Sequence, residues 1–96
     1  MAVAHIVWMR FKDNVSRARV DGHLTALASL KDRVPGISEL TLGENFTDRA
    51  NGYTHGLVVV FEDKAALEVY ATHPRHVEVA TPLREDAHLL VMDYEF

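Results

Sequence analysis

The sequence predicts an α+β fold of the ferredoxin-like βαββαβ type, with a four-stranded antiparallel sheet and its helices on one face. Four segments are rich in β-branched and aromatic residues and alternate along the chain, which is typical of strands. Two helical segments separate them in the order that this fold requires. The 96 residues contain no linker, so residues 1–96 are interpreted as a single domain.

The first half of the chain is predicted to form a strand, a helix and a strand. Residues 3–12 alternate in strand fashion, and the side that carries Val7 and Met9 is expected to face the helices. Ser16 is a candidate N-cap for a helix that ends at Pro35-Gly36. Its apolar stripe recurs at spacings of three and four, at Val20, Leu24, Leu27, Leu30 and Val34. Residues 37–45 form the second predicted strand.

The second half continues with a polar loop over residues 46–52 and a third strand over residues 53–61. Asp63 is expected to cap the second helix. Pro74 interrupts this helix and opens a new helical segment, which is predicted to end near Pro82 or Glu85. Residues 88–96 form the last strand. Right-handed crossovers then place the helices on one face of the sheet.

The other face of the sheet is also apolar, which predicts that a second copy covers it. An antiparallel sheet with one face in water normally alternates between apolar and polar residues, and these strands do not. An uncovered face would be a larger apolar patch than soluble monomers usually expose. We therefore expect a homodimer, related by two-fold symmetry, that packs through Ile6, Trp8, Val58, Val60, Leu90 and Met92.

Composition argues against several classes of partner. The net charge is −4 and the ten lysines and arginines are scattered, so neither nucleic acid nor an anionic membrane is expected. The N-terminus has no signal-peptide pattern, which favours a cytoplasmic protein. No cysteine and no glycine-rich phosphate loop occur, and Pro74 separates His73 from His76, so neither a cofactor nor a metal is expected.

Histidines are the candidates for chemistry near neutral pH. His76 lies in the first turn of the helix that Pro74 opens, where the helix dipole disfavours an imidazolium and leaves a neutral ring that can act as a general base. Tyr70 could orient this base or hold a substrate oxygen. Alternatively, Tyr70 packs in the core and His76 satisfies a helix end. His5 is either a hydrogen-bonded core residue or part of the same cavity. His55, on the corresponding side of the third strand, is either a functional residue or a strand-end histidine that bonds to the backbone or to a carboxylate.

Several motifs, spread nearly end to end, resemble the stress-responsive dimeric α/β-barrel (Dabb) family. They are His5-Ile6-Val7, Val34-Pro35-Gly36-Ile37, Gly52-Tyr53-Thr54-His55-Gly56, Tyr70 with His73-Pro74-Arg75-His76, and Val91-Met92-Asp93-Tyr94. The resemblance implies a dimeric barrel of ferredoxin-like protomers. Because one plant member of the family is a cofactor-free polyketide cyclase, it also implies catalytic roles for His76 and Tyr70. The predicted substrate-binding residues are His5, Val7, His23, Leu24, Leu27, Leu57, His73 and Val79.

Three functions remain open from the sequence. The first is a cofactor-free lyase, cyclase or isomerase that acts on a small apolar or carbonyl compound, with His76 as its base. The second is a non-catalytic stress-responsive module that binds a ligand or serves as a scaffold. The third is a cofactor-free monooxygenase of similar fold.

Overall fold

The computed structural model describes residues 1–96 and confirms the predicted ferredoxin-like fold. In chain order, the elements are β1 (Val3–Phe11), α1 (Arg17–Ser29), β2 (Ile37–Glu44), β3 (His55–Phe61), α2 (Lys64–Thr72), α3 (Pro74–Asp86) and β4 (Ala87–Glu95). The strands form one sheet in the order β2-β3-β1-β4, and each neighbouring pair is antiparallel. β1 is therefore a central strand, paired along its length with β4.

Helix α1 begins as predicted but ends earlier. The Ser16 hydroxyl accepts a hydrogen bond from the Arg19 amide at 3.2 Å, which satisfies a free donor in the first turn. The regular helix ends at Ser29, and a 3-10 turn follows over Leu30–Asp32, where the apolar stripe predicted a helix as far as Val34. Helices often tighten in this way at their C-terminal ends. Leu30 and Val34 are both buried nonetheless.

Strand β3 begins two residues later than predicted because a tight turn precedes it. Asn51 and Gly52 have positive φ angles of 54° and 88°. The Tyr53 amide donates to the Ala50 carbonyl at 3.0 Å, so Tyr53 closes this turn. The Thr54 amide then donates to the Met9 carbonyl at 2.9 Å and brings the chain into the sheet.

The second helical region divides at Pro74, as predicted. An Asp63 carboxylate oxygen caps α2 by accepting from the Ala66 amide at 2.9 Å, and α3 begins at Pro74. The prediction that α3 ends near Pro82 or Glu85 was wrong for Pro82, because the helix continues to Asp86. Pro82 removes one helical donor, but it lies on the exposed face of α3, where water can satisfy the carbonyl left without a partner.

The core lies between the helices and one face of the sheet. Met9, Val59 and Phe61 are completely buried there, against Leu27 of α1 and Tyr70 of α2. The opposite face, the bare sheet face, carries apolar side chains that the protomer leaves uncovered. Trp8 is 41% exposed there, Leu90 54% and Met92 65%. As the sequence predicted, both faces are apolar, but only one is covered. No helix combines the length and apolar character that crossing a membrane requires.

Replacing Gly36 by alanine should destabilise the fold by about 2 kcal/mol or more. Gly36 has a φ angle of +86°, and an added Cβ would lie 2.8 Å from the Cβ of Ala66 in α2. Gly22 is the matched control: a Cβ there meets nothing within 4 Å. Gly22→Ala in the helix should therefore stabilise by up to about 1 kcal/mol. Thermal unfolding at one fixed protein concentration measures both, and equal effects would contradict this account of Gly36.

Candidate active site

A pocket of about 320 Å³ lies between the helices and the covered face of the sheet. Most of its wall is apolar, and the side chains come from β1, β3, β4 and all three helices. The polar groups that converge on it are His5, Tyr70, His76, Arg84 and Asp93. A mostly apolar cavity of this size with a few polar groups is the usual form of a small-molecule site.

The break between α2 and α3 positions His76 and Tyr70 in the wall of this pocket. The carbonyl of Ala71 lies in the last turn of α2, where the ordinary helical donor would be the amide of Arg75. That amide instead donates to Nδ1 of His73 at 3.1 Å, because His73 caps α3. The Ala71 carbonyl accepts from Nδ1 of His76 at 3.2 Å. The break therefore holds the His76 ring against Tyr70, with ring centroids 4.1 Å apart.

This bond determines which nitrogen of His76 can accept a proton. A carbonyl oxygen only accepts hydrogen bonds, so Nδ1 carries the hydrogen and Nε2 carries the lone pair when the ring is neutral. Nε2 bonds to no protein group. Every buried side-chain nitrogen or oxygen has a hydrogen-bond partner. Because Nε2 has none, it is not buried and faces open space. His76 forms part of the pocket wall, and its basic nitrogen is accessible.

The environment keeps His76 neutral. Burial lowers the pKa of His76 below its ordinary value of 6.5, the hydrogen bond to Ala71 opposes this shift, and the positive charge of Arg84 lowers the pKa further. The folded protein therefore binds fewer protons than the unfolded chain as the pH falls through 6.5. His76 lowers stability in acid, and this cost is absent above that pH.

Tyr70 is 2% exposed, and its ring packs on Phe61 and His5 with centroids 5.0 and 5.7 Å away. Burial raises the pKa of Tyr70 to about 12, so the phenol is protonated near neutral pH. Its hydroxyl bonds to no protein group, and since every buried polar side-chain atom has a partner, the hydroxyl is not sealed off. Tyr70 lines the pocket, so the hydroxyl reaches this open space. Tyr70 can therefore donate a hydrogen bond to an oxygen of a bound molecule.

His5 is oriented by a carboxylate on the neighbouring strand. It is paired with Asp93 in the β1–β4 register, and its Nδ1 lies 2.5 Å from Oδ1 of Asp93. Since a carboxylate accepts, Nδ1 of His5 is the donor, and Nε2 is left for the pocket. The two open alternatives for His5 thus merge: the ring is hydrogen-bonded and also lines the cavity.

The structure brings together six of the ten predicted site residues, namely His5, Val7, Leu27, Leu57, Tyr70 and His76, in the wall of the pocket. The other four do not line it. The ring of His23 donates from Nε2 to Asp86, 2.7 Å away, and stacks on Phe11. His73 serves as the cap of α3, while Leu24 and Val79 pack against the core.

Asp86 explains where His23 points. The side chain of Arg19 also binds this carboxylate, from Nε at 3.1 Å and from Nη2 at 2.9 Å, and the pair ties α1 to the end of α3. The hydrogen bond from His23, followed by those from Arg19, lowers the pKa of Asp86. His23 is thereby drawn away from the pocket.

Arg84 and Asp93 line the pocket but were not among the predicted site residues. A signal for each was present in the sequence. His76, Ala80 and Arg84 follow one another at helical i, i+4 spacing, which places them on one face of α3. Asp93 is an acid within the otherwise apolar last strand. Without the strand register, nothing connected it to His5.

Two other features do not alter the choice of site. A hollow of about 390 Å³ lies on the bare sheet face beside Trp8 and Tyr53, and His55 lines it with its ring hydrogen-bonded to the Thr54 hydroxyl at 2.8 Å. It is away from the His76–Tyr70 pair. No group of three or more histidine, aspartate or glutamate side chains is arranged to hold a metal ion.

Three features define the class of protein. The protomer is ferredoxin-like, one face of its sheet is apolar and uncovered, and a pocket with a few polar groups lies between the other face and the helices. The chain belongs to the stress responsive A/B barrel domain (Dabb) family, whose model matches residues 3–96. It is 30% identical over 97 residues to olivetolic acid cyclase of Cannabis sativa, covering 98% of this chain and 96% of that protein.

Solved structures of the same fold give a consistent picture. The hydroxynitrile lyase from Passiflora edulis superposes with a TM-score of 0.91 at 26% identity, covering 97% of this chain and 91% of that one. A dimeric ferredoxin-like protein of unknown function from Jannaschia sp. CCS1 has a TM-score of 0.87 at 28% identity, with both chains fully covered. Proteins named as enzymes are therefore among those that this chain resembles.

The electrostatics of the pocket predict a specific titration. We expect His76 to titrate below pH 6.5 with the hydrogen on Nδ1, because burial and Arg84 disfavour its charged form. Arg84→Gln should raise the pKa of His76 by removing the nearby positive charge. Nitrogen-15 NMR of the imidazole ring measures the pKa and the tautomer together. Arg75→Gln, on the same helix but outside the pocket, is the control and should leave the titration in place.

Proposed function

We propose that this chain is a small-molecule-binding protein that acts as a cofactor-free enzyme of the lyase, cyclase or isomerase type on a carbonyl compound. The observation that carries the proposal is the pairing of a free basic nitrogen on His76 with a protonated phenol on Tyr70 in one apolar pocket. A base beside a hydrogen-bond donor is the arrangement that proton abstraction next to a carbonyl requires.

The proposed step balances without any added reagent. Nε2 of His76 takes a proton from the carbon next to the carbonyl, and the electron pair of that C–H bond forms the enolate. The Tyr70 hydroxyl donates a hydrogen bond to the oxygen on which negative charge develops. The imidazolium of His76 then returns its proton to the product. Nε2 of His5, fixed through Asp93, is a third polar contact for the substrate.

The relatives support acid–base chemistry of this kind. Two proteins of similar sequence or fold are named as a cyclase and a hydroxynitrile lyase. Six of the ten residues predicted to form the site line the pocket of this chain. A pocket of about 320 Å³ limits the substrate to a small molecule, and its largely apolar wall favours a substrate with an apolar body.

Replacing His76 by alanine should lower the catalysed rate by about 10²–10⁴-fold, because the base is lost while the pocket wall remains. Exchange of α-protons for deuterium in a panel of small ketones, phenylacetone among them, is followed by proton NMR. Val77→Ala, the exposed neighbour on α3, is the control and should keep the wild-type rate.

Wild-type exchange above the buffer rate that survives His76→Ala would contradict the catalytic proposal. It would leave the non-catalytic alternative, in which the same pocket only holds a ligand. Tyr70→Phe separates the two roles further: loss of the hydroxyl should slow exchange while the packing on Phe61 is retained.

We also propose that two protomers pack through the bare sheet face. The face consists of Ile6, Trp8, Val58, Val60, Leu90 and Met92, which the register places on one side of three adjacent strands. Similar solved proteins are described as dimeric. Burial of this patch removes from water a set of side chains that contribute to stability only when covered.

Trp8→Glu or Leu90→Glu should shift the protein from dimer to monomer at micromolar concentration. A charge placed in an apolar interface is left without a partner and costs several kcal/mol. Val69→Glu is the control, because Val69 is similarly exposed, at 49%, but lies on α2, on the opposite side of the sheet. Sedimentation velocity gives the masses. Dimers that persist in both sheet variants would place the interface elsewhere.

A further inference from the structure

Arg84 is the one residue with a charged or basic side chain in the pocket wall to which the proposed reaction gives no contact with the substrate and no contact with a group that touches it. Arg84 lies in the last turn of α3, two helical turns after His76 on the same face, and its side chain forms part of the pocket wall. Arg84 is solvent-exposed, and it and His76 line the same pocket. The pocket wall thus contains a cation, Arg84, together with a base, His76, that must stay neutral to accept a proton.

Arg84 has no ionic partner in the protomer. The six ion pairs join other residues, and Arg75 on the outer side of the same helix pairs with Glu78 at 3.6 Å. The only carboxylate in the pocket wall is Asp93, and it is held by His5. The pocket therefore contains one acid that is already paired and one guanidinium that is not.

We propose that Arg84 binds a carboxylate of the substrate, so that the pocket selects small oxo acids over neutral carbonyl compounds. The planar fork of a guanidinium matches the two oxygens of a carboxylate and forms strong charge-assisted hydrogen bonds with it. A single guanidinium in a largely apolar wall balances one negative charge, which favours a monocarboxylate over a phosphate. This inference rests on the proposed function, since it specifies the substrate of the same site.

The bound carboxylate would also fix the geometry of the reaction. An acid anchored at Arg84 would place its α-carbon or β-carbon in the pocket that His76 also lines, with its apolar body toward Leu27 and Leu57. Arg84 is then a specificity-determining residue, and His76 and Tyr70 remain the groups that act on the reacting atoms.

Two probes of the same shape test the selection. Hexanoate and hexanamide differ in charge at one end only, and NMR titration at pH 7.5 measures both dissociation constants for the wild-type protein. Hexanoate should bind more tightly, and Arg84→Gln should weaken its binding by about tenfold, as expected for loss of one charge-assisted contact. Hexanamide should change by less than about twofold. Arg75→Gln is the matched control and should change neither constant.

Three results would overturn the inference: wild-type protein that does not prefer hexanoate, a preference that survives Arg84→Gln, or an equal loss in Arg75→Gln. Arg84 could instead only stabilise the C-terminal end of α3 through the helix dipole. In that case Arg84→Gln would lower the melting temperature, and the preference for hexanoate would survive. His76→Ala should keep the hexanoate preference while it loses ketone exchange. Failure of the base and failure of the anion site are therefore distinguishable.

Discussion

The interruption of the second helical region at His73-Pro74 is the constraint on which the site depends. Proline cannot donate to the preceding turn, and the amide of Arg75 is diverted to the His73 ring. The carbonyl of Ala71 is thereby available to the imidazole of His76. One local irregularity thus fixes the tautomer of the base, leaves its lone pair free and sets its ring beside Tyr70 in the pocket wall. A continuous helix would satisfy that carbonyl internally and leave His76 unanchored.

Charge in the pocket is arranged so that histidine stays neutral near a cation. Burial and Arg84 both disfavour an imidazolium at His76, and burial keeps the phenol of Tyr70 protonated. The opposite arrangement holds at the C-terminal end of α3, where Asp86 is bound by His23 and Arg19 and remains ionised. Two histidines from neighbouring helices therefore have different tasks. One keeps a free nitrogen in the pocket, and the other holds the end of α3 against α1.

The sheet separates the proposed chemistry from the proposed assembly. Residues of β1 alternate between the two faces, so His5 and Val7 contribute to the pocket while Ile6 and Trp8 belong to the bare face. A strand that is apolar on both sides can serve both purposes at once. Because the site is formed within one protomer, an interface variant and a pocket variant act on different faces of the same strands.

The sequence by itself determined the order of elements, the caps at Ser16 and Asp63, the break at Pro74 and the two-sided apolar sheet. These depend on periodicity and on the local chemistry of proline and capping residues, which act over a few neighbouring positions. It also identified the His76–Tyr70 pair, because both flank that break. Only the tertiary structure decided which other side chains meet them. The β1–β4 register joined Asp93 to His5, and Asp86 drew His23 out of the pocket. Such contacts link residues more than sixty positions apart, and no local pattern records them.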